Sequence, residues 1–362
     1  MAATSSRAAP AAFAGGWPAY LLVLIVLGAA IYAFSPRPQP SFPATQVFPD
    51  RLLVTSLAAN GKRVIAVGEQ GHILFGDTGQ PFQEAKVDPQ RGSMLTRVAF
   101  IDDHTAIAVG HDGWIVRSED RGETWKEAAF DAEKPDPVIG IAGPFDDKLF
   151  AFGAFGLYET STDGGKTWSK ETLNIADEQK KKVVDENADP FANFEGGGGG
   201  GLAERHLNAM VHAADGSLIL LGEQGLMLKS KDNGASWHSL PQVYAGSWFG
   251  ALNLPDGGLV AFGMRGNAFV SRDSGATWKK GELPNNVSLF GGTVMSDGSI
   301  VLVGDNNCVF QSTDGGAHFK LAAQAEHHGL AAGLASVLPL SGGAVLTAGD
   351  NGLMVQKLGG AS

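Results

Sequence analysis

STDGGKTW, Ser161 to Trp168, recurs along the chain. Ser118–Trp125 reads SEDRGETW, Ser230–Trp237 reads SKDNGASW, Ser271–Trp278 reads SRDSGATW and Ser312–Phe319 reads STDGGAHF. The shared skeleton is Ser-x-Asp-x-Gly followed by an aromatic. Each residue type has a mechanical reason to be there. The Asp carboxylate can accept backbone N–H groups just ahead of it and close a tight turn. The glycine takes a positive φ. The aromatic then opens a strand and buries a large apolar face. Asp120, Asp163, Asp232, Asp273 and Asp314, with Trp125, Trp168, Trp237, Trp278 and Phe319, are therefore read as structural hairpin turns rather than chemical sites. Phe75 to Phe82 is a degenerate copy that keeps Asp77, Gly79 and the aromatic.

A second signature precedes each box: a hydrophobic strand ending in Gly-x-x-Gly. It occurs seven times, the sixth copy ending in Asn, with first glycines at Gly68, Gly110, Gly153, Gly222, Gly263, Gly304 and Gly349, steps of 42, 43, 69, 41, 41 and 45 residues. A period of about 40 to 50 residues with four short strands per unit is that of a β-propeller. The expected fold is thus all-β, a seven-bladed propeller. The predicted inner strands start near Val54, Thr96, Ile139, Asn208, Phe249, Gly291 and Leu334, and are small and apolar, as crowding at the axis demands. The seventh unit has no box, so its outer strand is expected from the segment Ser41–Phe48.

These boxes and glycine turns resemble the Asp-box (bacterial neuraminidase repeat) propellers. Within them the chain is most similar to the photosystem II stability and assembly factor family and its non-photosynthetic bacterial relatives. The resemblance covers roughly residues 42–358. It implies a non-enzymatic assembly factor or accessory subunit of an integral membrane complex. Because such relatives are often encoded beside RND-type transporters, it points to such a transporter as the partner. The alternative is an extracytoplasmic glycan-binding or sialidase-like glycoside-hydrolysing propeller.

The chain has 362 residues, 44% of them hydrophobic, and a net charge of −11. That is ample for one large β domain, and the acidic balance argues against nucleic acid. Cys308 is the single cysteine, so no internal disulfide can form. Its repeat position is also held by His72, Trp114 and Leu226, which makes it a packing residue.

Residues 1–17 form a short tail, expected to be cytoplasmic. Residues 18–34 are a charge-free apolar run, read as a transmembrane anchor, with a signal sequence cleaved near Gly28-Ala29-Ala30 as the alternative. Residues 35–41 belong to a proline-rich linker, residues 42–358 to the propeller and 359–362 to a tail. The resemblance implies a cytoplasmic (inner) membrane, with the propeller on its periplasmic side. An insertion at 174–206 explains the long step. It is polar, then carries Phe191 and Phe194, then the glycine run Gly196–Gly201. It reads either as a plain surface insertion or as an arm with two aromatic anchors for a partner.

Catalytic signals are weak. Sialidase chemistry needs an arginine cluster and a Tyr nucleophile. Beyond the apolar run the tyrosines are Tyr158 and Tyr244, and Arg117, Arg121, Arg265 and Arg272 lie in turns or third strands. His327 and His328 are adjacent, and neighbouring residues in extended chain point apart, so they make poor joint metal ligands. No cofactor and no metal site is expected. What remains is a surface. Strand direction puts the boxes on one rim and the Gly-x-x-Gly turns on the opposite face. The middle residues of those turns form a ring: Glu69-Gln70, His111-Asp112, Ala154-Phe155, Glu223-Gln224, Met264-Arg265, Asp305-Asn306 and Asp350-Asn351. Polar turns need no partner to explain them, but Phe155 and Met264 are apolar choices that suit a contact patch.

Overall fold

The computed structural model describes residues 17–34, 48–176, 201, 204–324 and 332–359. It divides into two units, Met1–Gln46 and Val47–Ser362. In the first, Trp17–Phe34 is a single α-helix, α1, of 18 residues with a mean hydropathy of 2.1 and no charged side chain. At about 1.5 Å per residue it is long enough to cross a membrane, and a signal sequence has the same properties.

The second unit is a seven-bladed β-propeller. Blade 1 comprises β1 (Val54–Asn60), β2 (Arg63–Gly68), β3 (Ile73–Asp77) and β4 (Gln83–Glu84). Blade 2 comprises β5 (Lys86–Asp88), β6 (Leu95–Phe100), β7 (Ala106–Gly110), β8 (Ile115–Ser118) and β9 (Thr124–Ala129). Blade 3 is β10 (Val138–Phe145), β11 (Lys148–Gly153), β12 (Tyr158–Ser161) and β13 (Ser169–Lys170). Blade 4 is β14 (Leu207–His212), β15 (Leu218–Gly222), β16 (Met227–Ser230) and β17 (His238–Ser239). Blade 5 is β18 (Trp248–Asn253), β19 (Leu259–Gly263), β20 (Ala268–Ser271) and β21 (Lys279–Lys280). Blade 6 is β22 (Leu289–Val294), β23 (Ile300–Gly304), β24 (Cys308–Ser312) and β25 (Lys320–Gln324), and blade 7 is β26 (Leu334–Pro339), β27 (Ala344–Gly349) and β28 (Gly352–Lys357). Neighbouring strands in each blade are antiparallel, but β5 pairs in parallel with β9. The chain leaving blade 1 therefore adds a strand to the outside of blade 2. Single parallel bridges Ile175–Trp237 and Glu282–His318 repeat this between blades 3 and 4 and between blades 5 and 6.

The second strand of each blade is a near-continuous apolar run because both of its faces are covered by neighbouring blades. Residues Ala106–Gly110, Leu218–Gly222, Leu259–Gly263 and Ile300–Gly304 are buried throughout. The core is accordingly divided among the seams. Ile107, Val109 and Ile115 of blade 2 pack on Val138, Leu149 and Ala151 of blade 3. Val54, Leu57 and Val64 of blade 1 pack on Leu346 and Ala348 of blade 7, which closes the ring. Truncating a fully buried aromatic such as Trp237 or Phe310 costs about 3–5 kcal/mol in such a seam.

All seven inner strands share a bulge at the same place. The residue after it pairs with the residue just before the first glycine of the turn: Ser56, Arg97, Gly140, Ala209, Gly250, Gly291 and Ser336 in blades 1 to 7. Gly140 and Gly250 are required there because a Cβ would enter the rings of Phe152 and Phe262.

The expected closing strand Ser41–Phe48 lies, except for Phe48, outside the described residues. The ring nevertheless joins at this point: the Leu353 N–H donates to the Pro49 carbonyl at 2.9 Å, and the Leu57 N–H to Ser336 Oγ at 3.1 Å. The insertion is shorter than expected at its start. Asn174 and Ile175 stay with the fold, with the Trp237 N–H donating to the Asn174 carbonyl and Ile175 buried.

Candidate functional site

The box rim is a closed hydrogen-bond system. In blade 5, Ser271 Oγ donates to Asp273 Oδ1 at 2.8 Å and accepts the Gly275 N–H at 2.8 Å. Asp273 also accepts the Thr277 N–H at 2.8 Å and the Thr277 hydroxyl at 2.5 Å. The same set recurs around Asp120, Asp163 and Asp232, and around Asp314 with His318 in place of the Thr or Ser. Hydrogen bonds from the turn hold Asp232 and Asp273 down to a pKa of about 2, and Asp120, Asp163 and Asp314 also lie below the carboxylate range. Both oxygens of each box carboxylate accept bonds from their own turn, as the sequence implies.

The box also does something the sequence does not announce: it docks on the preceding blade. A Cβ on Gly122 would lie 2.6 Å from Ile65 of blade 1, on Gly275 3.0 Å from Ile219 of blade 4, and on Gly316 2.6 Å from Val270 of blade 5. Gly165 and Gly234 sit in the same way against Ile107 and Phe150. A basic residue beside the box serine of one blade then reaches the next box. Arg117 Nε donates to the Gly164 carbonyl at 2.8 Å, Lys229 Nζ to Ser274 at 2.7 Å and Arg272 to Gly315 at 2.8 Å. In blade 1 Asp77 instead accepts Arg63 Nε at 2.9 Å, and a Cβ on Gly79 would meet nothing.

The opposite face is built differently. The first glycine of each turn has extended backbone, so its φ is not the reason for it. Any Cβ there would be driven into the backbone carbonyl of the residue preceding the inner strand, such as Leu53, Met94 or Ser288. That carbonyl is held by the N–H of the residue after the glycine: Glu69 on Leu53, His111 on Met94, Ala154 on Pro137, Glu223 on His206, Met264 on Ser247, Asp305 on Ser288 and Asp350 on Gly333, at 2.9–3.1 Å. Four of the ring acids return the favour with a carboxylate. Glu69 accepts the Leu53 N–H at 3.0 Å, Glu223 the His206 N–H at 3.1 Å, Asp305 the Ser288 N–H at 3.3 Å and Asp350 the Gly333 N–H at 2.8 Å. The acids at these positions thus tie turn to inner strand, a role that acidic composition alone does not reveal.

The next residue points outward in left-handed backbone: Gln70, Asp112, Phe155, Gln224, Arg265 and Asn306 all have φ between 52° and 60°. Gln70, Gln224, Arg265 and Asn306 are exposed, and Asp112 accepts the Ser93 hydroxyl at 2.6 Å. Phe155 is 64% exposed, an aromatic held at φ 53° in a conformation that suits Gly or Asn. Its ring meets His206 edge-on at 4.9 Å, beside Arg205, whose carbonyl accepts the Gly156 N–H and whose guanidinium reaches the Gln224 carbonyl at 3.3 Å. Phe155 therefore stands where the insertion re-enters the fold. Met264 is half-buried, and its carbonyl takes the Tyr244 hydroxyl at 3.0 Å. Phe191, Phe194, His327 and His328 lie outside the described residues.

Both tyrosines considered for glycoside chemistry are engaged in packing. Tyr158 is 2% exposed, edge-on to Trp237, and burial pushes its pKa up. Tyr244 packs on Trp248 and Phe269. Cys308 is buried and its thiol pKa is raised by that burial. Among the described residues no cluster of His, Cys, Asp or Glu could hold a metal. One residue escaped the sequence reading altogether: Arg97, on an inner strand. Aligning the blades would have exposed it as the one charge in a ring of small side chains.

The BNR/Asp-box repeat family matches residues 159–170. No curated protein sequence matches the chain. Two solved structures of YCF48 superpose on it. One, described as bound to D1 peptide, has 14% identity and a TM-score of 0.61, covering 90% of this chain and 99% of that one. The other, from Cyanidioschyzon merolae, has 13% identity and a TM-score of 0.62, covering 86% and 97%. Virginiamycin B lyase from Staphylococcus aureus is similar at 12% identity and a TM-score of 0.64, covering 84% and 94%. The same architecture thus serves in an enzyme and in a protein that takes up a peptide. The chain is a seven-bladed propeller carrying Asp-box repeats, with the fold of the YCF48 structures.

Proposed function

We propose that this propeller is a non-enzymatic assembly factor or accessory subunit of an integral membrane complex, and that it contacts its partner through the Gly-x-x-Gly face. The carrying observation is Phe155, a large exposed aromatic kept in left-handed backbone where other blades place Gln, Asp, Arg or Asn. Strain of this kind persists where function retains it, and an exposed aromatic is a typical interface anchor. The box rim, by contrast, commits its Ser, Asp and Thr side chains to its own turns. The fold shared with a YCF48 structure bound to a peptide supports a binding role. Burial of Tyr158 and the engagement of Tyr244 speak against the glycoside-hydrolase alternative. In this reading α1 holds the protein in a cytoplasmic membrane with the propeller on the periplasmic side. An RND-type transporter is the preferred partner, on the strength of the family resemblance.

The test is site-specific crosslinking in native membranes, with Cys308 first replaced by Ser. Single cysteines at Gln224, Arg265 and Asn193 should capture a polytopic membrane protein, and those at Asn233 and Ser274 in the boxes should not. Capture from the box positions alone would overturn the choice of face.

A further inference from the structure

The axis of the propeller holds a second candidate site, separate from the face just described. The residue after the inner-strand bulge is Gly, Ala or Ser in six blades and Arg97 in blade 2. These residues line a cavity of about 270 Å³ on the axis, just below the usual range for ligand pockets. Arg97 has neither an ion-pair nor a hydrogen-bond partner for its guanidinium among the described residues, and burial lowers its pKa. No other charged side chain lines the cavity. Arg97 is half-buried, so its guanidinium is open to a ligand entering the cavity, and a guanidinium offers a planar, two-pronged donor set that matches a carboxylate.

The surroundings of Arg97 are arranged by sector. Ser336, Ser56 and Arg97 occupy consecutive blades 7, 1 and 2. The Ser336 and Ser56 hydroxyl oxygens accept the N–H groups of Leu57 and Val98, at 3.1 and 3.3 Å, which leaves their own protons available as donors. Blades 3 to 6 add Phe152 and Phe262, both nearly fully buried against Gly140 and Gly250, the half-buried Phe290, and the polar Asn208 and Thr293. One side therefore offers positive charge and hydroxyl donors, and the other a mixed lining in which Phe290 is the ring within reach of a ligand.

We infer that this axial cavity binds a small organic carboxylate, its carboxylate paired with Arg97 and its short apolar tail against Phe290. The volume fits one short acid, the charge disfavours cations, and Phe290 favours a tailed acid over a bare inorganic anion.

The experiment uses the full chain in detergent micelles, titrated with butyrate and hexanoate, with butylamine and sodium sulfate as controls. Heat of binding and the Arg97 Nε–H resonance are followed in parallel. The expected result is one carboxylate per chain, a shifted Arg97 Nε–H signal, at least 10-fold weaker binding in Arg97→Met, and partial retention in Arg97→Lys. Sulfate should bind more weakly than hexanoate, and butylamine should not bind. Should Arg97→Met not fold, the resonance of the wild-type protein decides alone. An unmoved Arg97 signal at saturating hexanoate, wild-type affinity in Arg97→Met, or equal binding of butylamine would overturn the proposal. None of these readouts involves the membrane partner, so its absence leaves this test intact.

Discussion

The two rims of the propeller are repeated with equal regularity and solve opposite problems. On the box rim the side chains form the turn: Ser, Asp and Thr close on one another, and the glycine makes room for the preceding blade. On the other face the backbone forms the turn, through a carbonyl pressed against a glycine, and the side chain at the left-handed position is left free. On the box rim the Ser, Asp and Thr positions are committed and repeat, and the residues between them vary. A rim held by backbone can change its outward residue from blade to blade without altering the fold. That difference is what the proposed recognition face rests on.

The contrast is sharpest in Gly304→Ala. The added methyl would enter the Ser288 carbonyl, which no rotamer change relieves. Overpacking against backbone costs about 3 kcal/mol or more, so the variant should unfold far earlier in urea. Gly298→Ala, in open space at φ 81°, should lose only about 1 kcal/mol. Equal losses would break the distinction between a sterically required glycine and a conformationally convenient one.

Asp273→Ala comes next. It removes an acceptor of three short hydrogen bonds on the exposed rim, and water replaces part of what is lost, so about 1 kcal/mol is expected in chemical denaturation. Partner capture from Gln224 should be unaffected. Loss of capture at unchanged stability would assign recognition to the wrong rim.

Acid should expose the same residues. The box carboxylates titrate lower in the folded chain than in the unfolded one, Asp273 and Asp232 at about 2 against an ordinary value of 3.8. Their contribution is complete above pH of about 4 and is lost as pH falls toward 2, because the unfolded state then binds protons first. The denaturation midpoint should fall in that window, and Asp273→Ala should have a shallower slope there than the wild type.

The smallest effect on stability is expected from Phe155→Asn. Asn accepts left-handed backbone, so the melting temperature should stay level or rise slightly, while partner capture falls. A large destabilisation would make Phe155 a packing residue after all.

Much of this fold is legible in the sequence because a propeller repeats its constraints. Seven glycine turns at near-constant spacing place all seven inner strands to within about two residues, and the box residues behave as their chemistry dictates. What escapes is what depends on the neighbour. Gly275 looks like a turn glycine, yet it also has to fit against Ile219, 56 residues earlier. Glu69 and Asp350 look like solvated charges, yet they cap inner-strand N–H groups. Arg97 looks like one more strand residue, and only the ring of small residues around it makes it conspicuous. Such facts arise from juxtaposition of blades, which a linear pattern does not display.

The docking of each box glycine on the blade before it gives the ring a direction. Five seams carry such a dock, from blades 1 and 2 through blades 5 and 6. Blade 7 has no box to place on blade 6, and the degenerate turn of blade 1, with Gly79 in open space, places none on blade 7. Among the described residues blade 7 is held instead by apolar packing, inner-strand contacts and two backbone bonds, Leu353 N–H to the Pro49 carbonyl at 2.9 Å and Gly359 N–H to the Ala322 carbonyl at 3.2 Å. The molecule resembles a bracelet with a clasp: six links joined by box docks and one joined without them. Amide exchange of β26 to β28 should outpace that of every other blade.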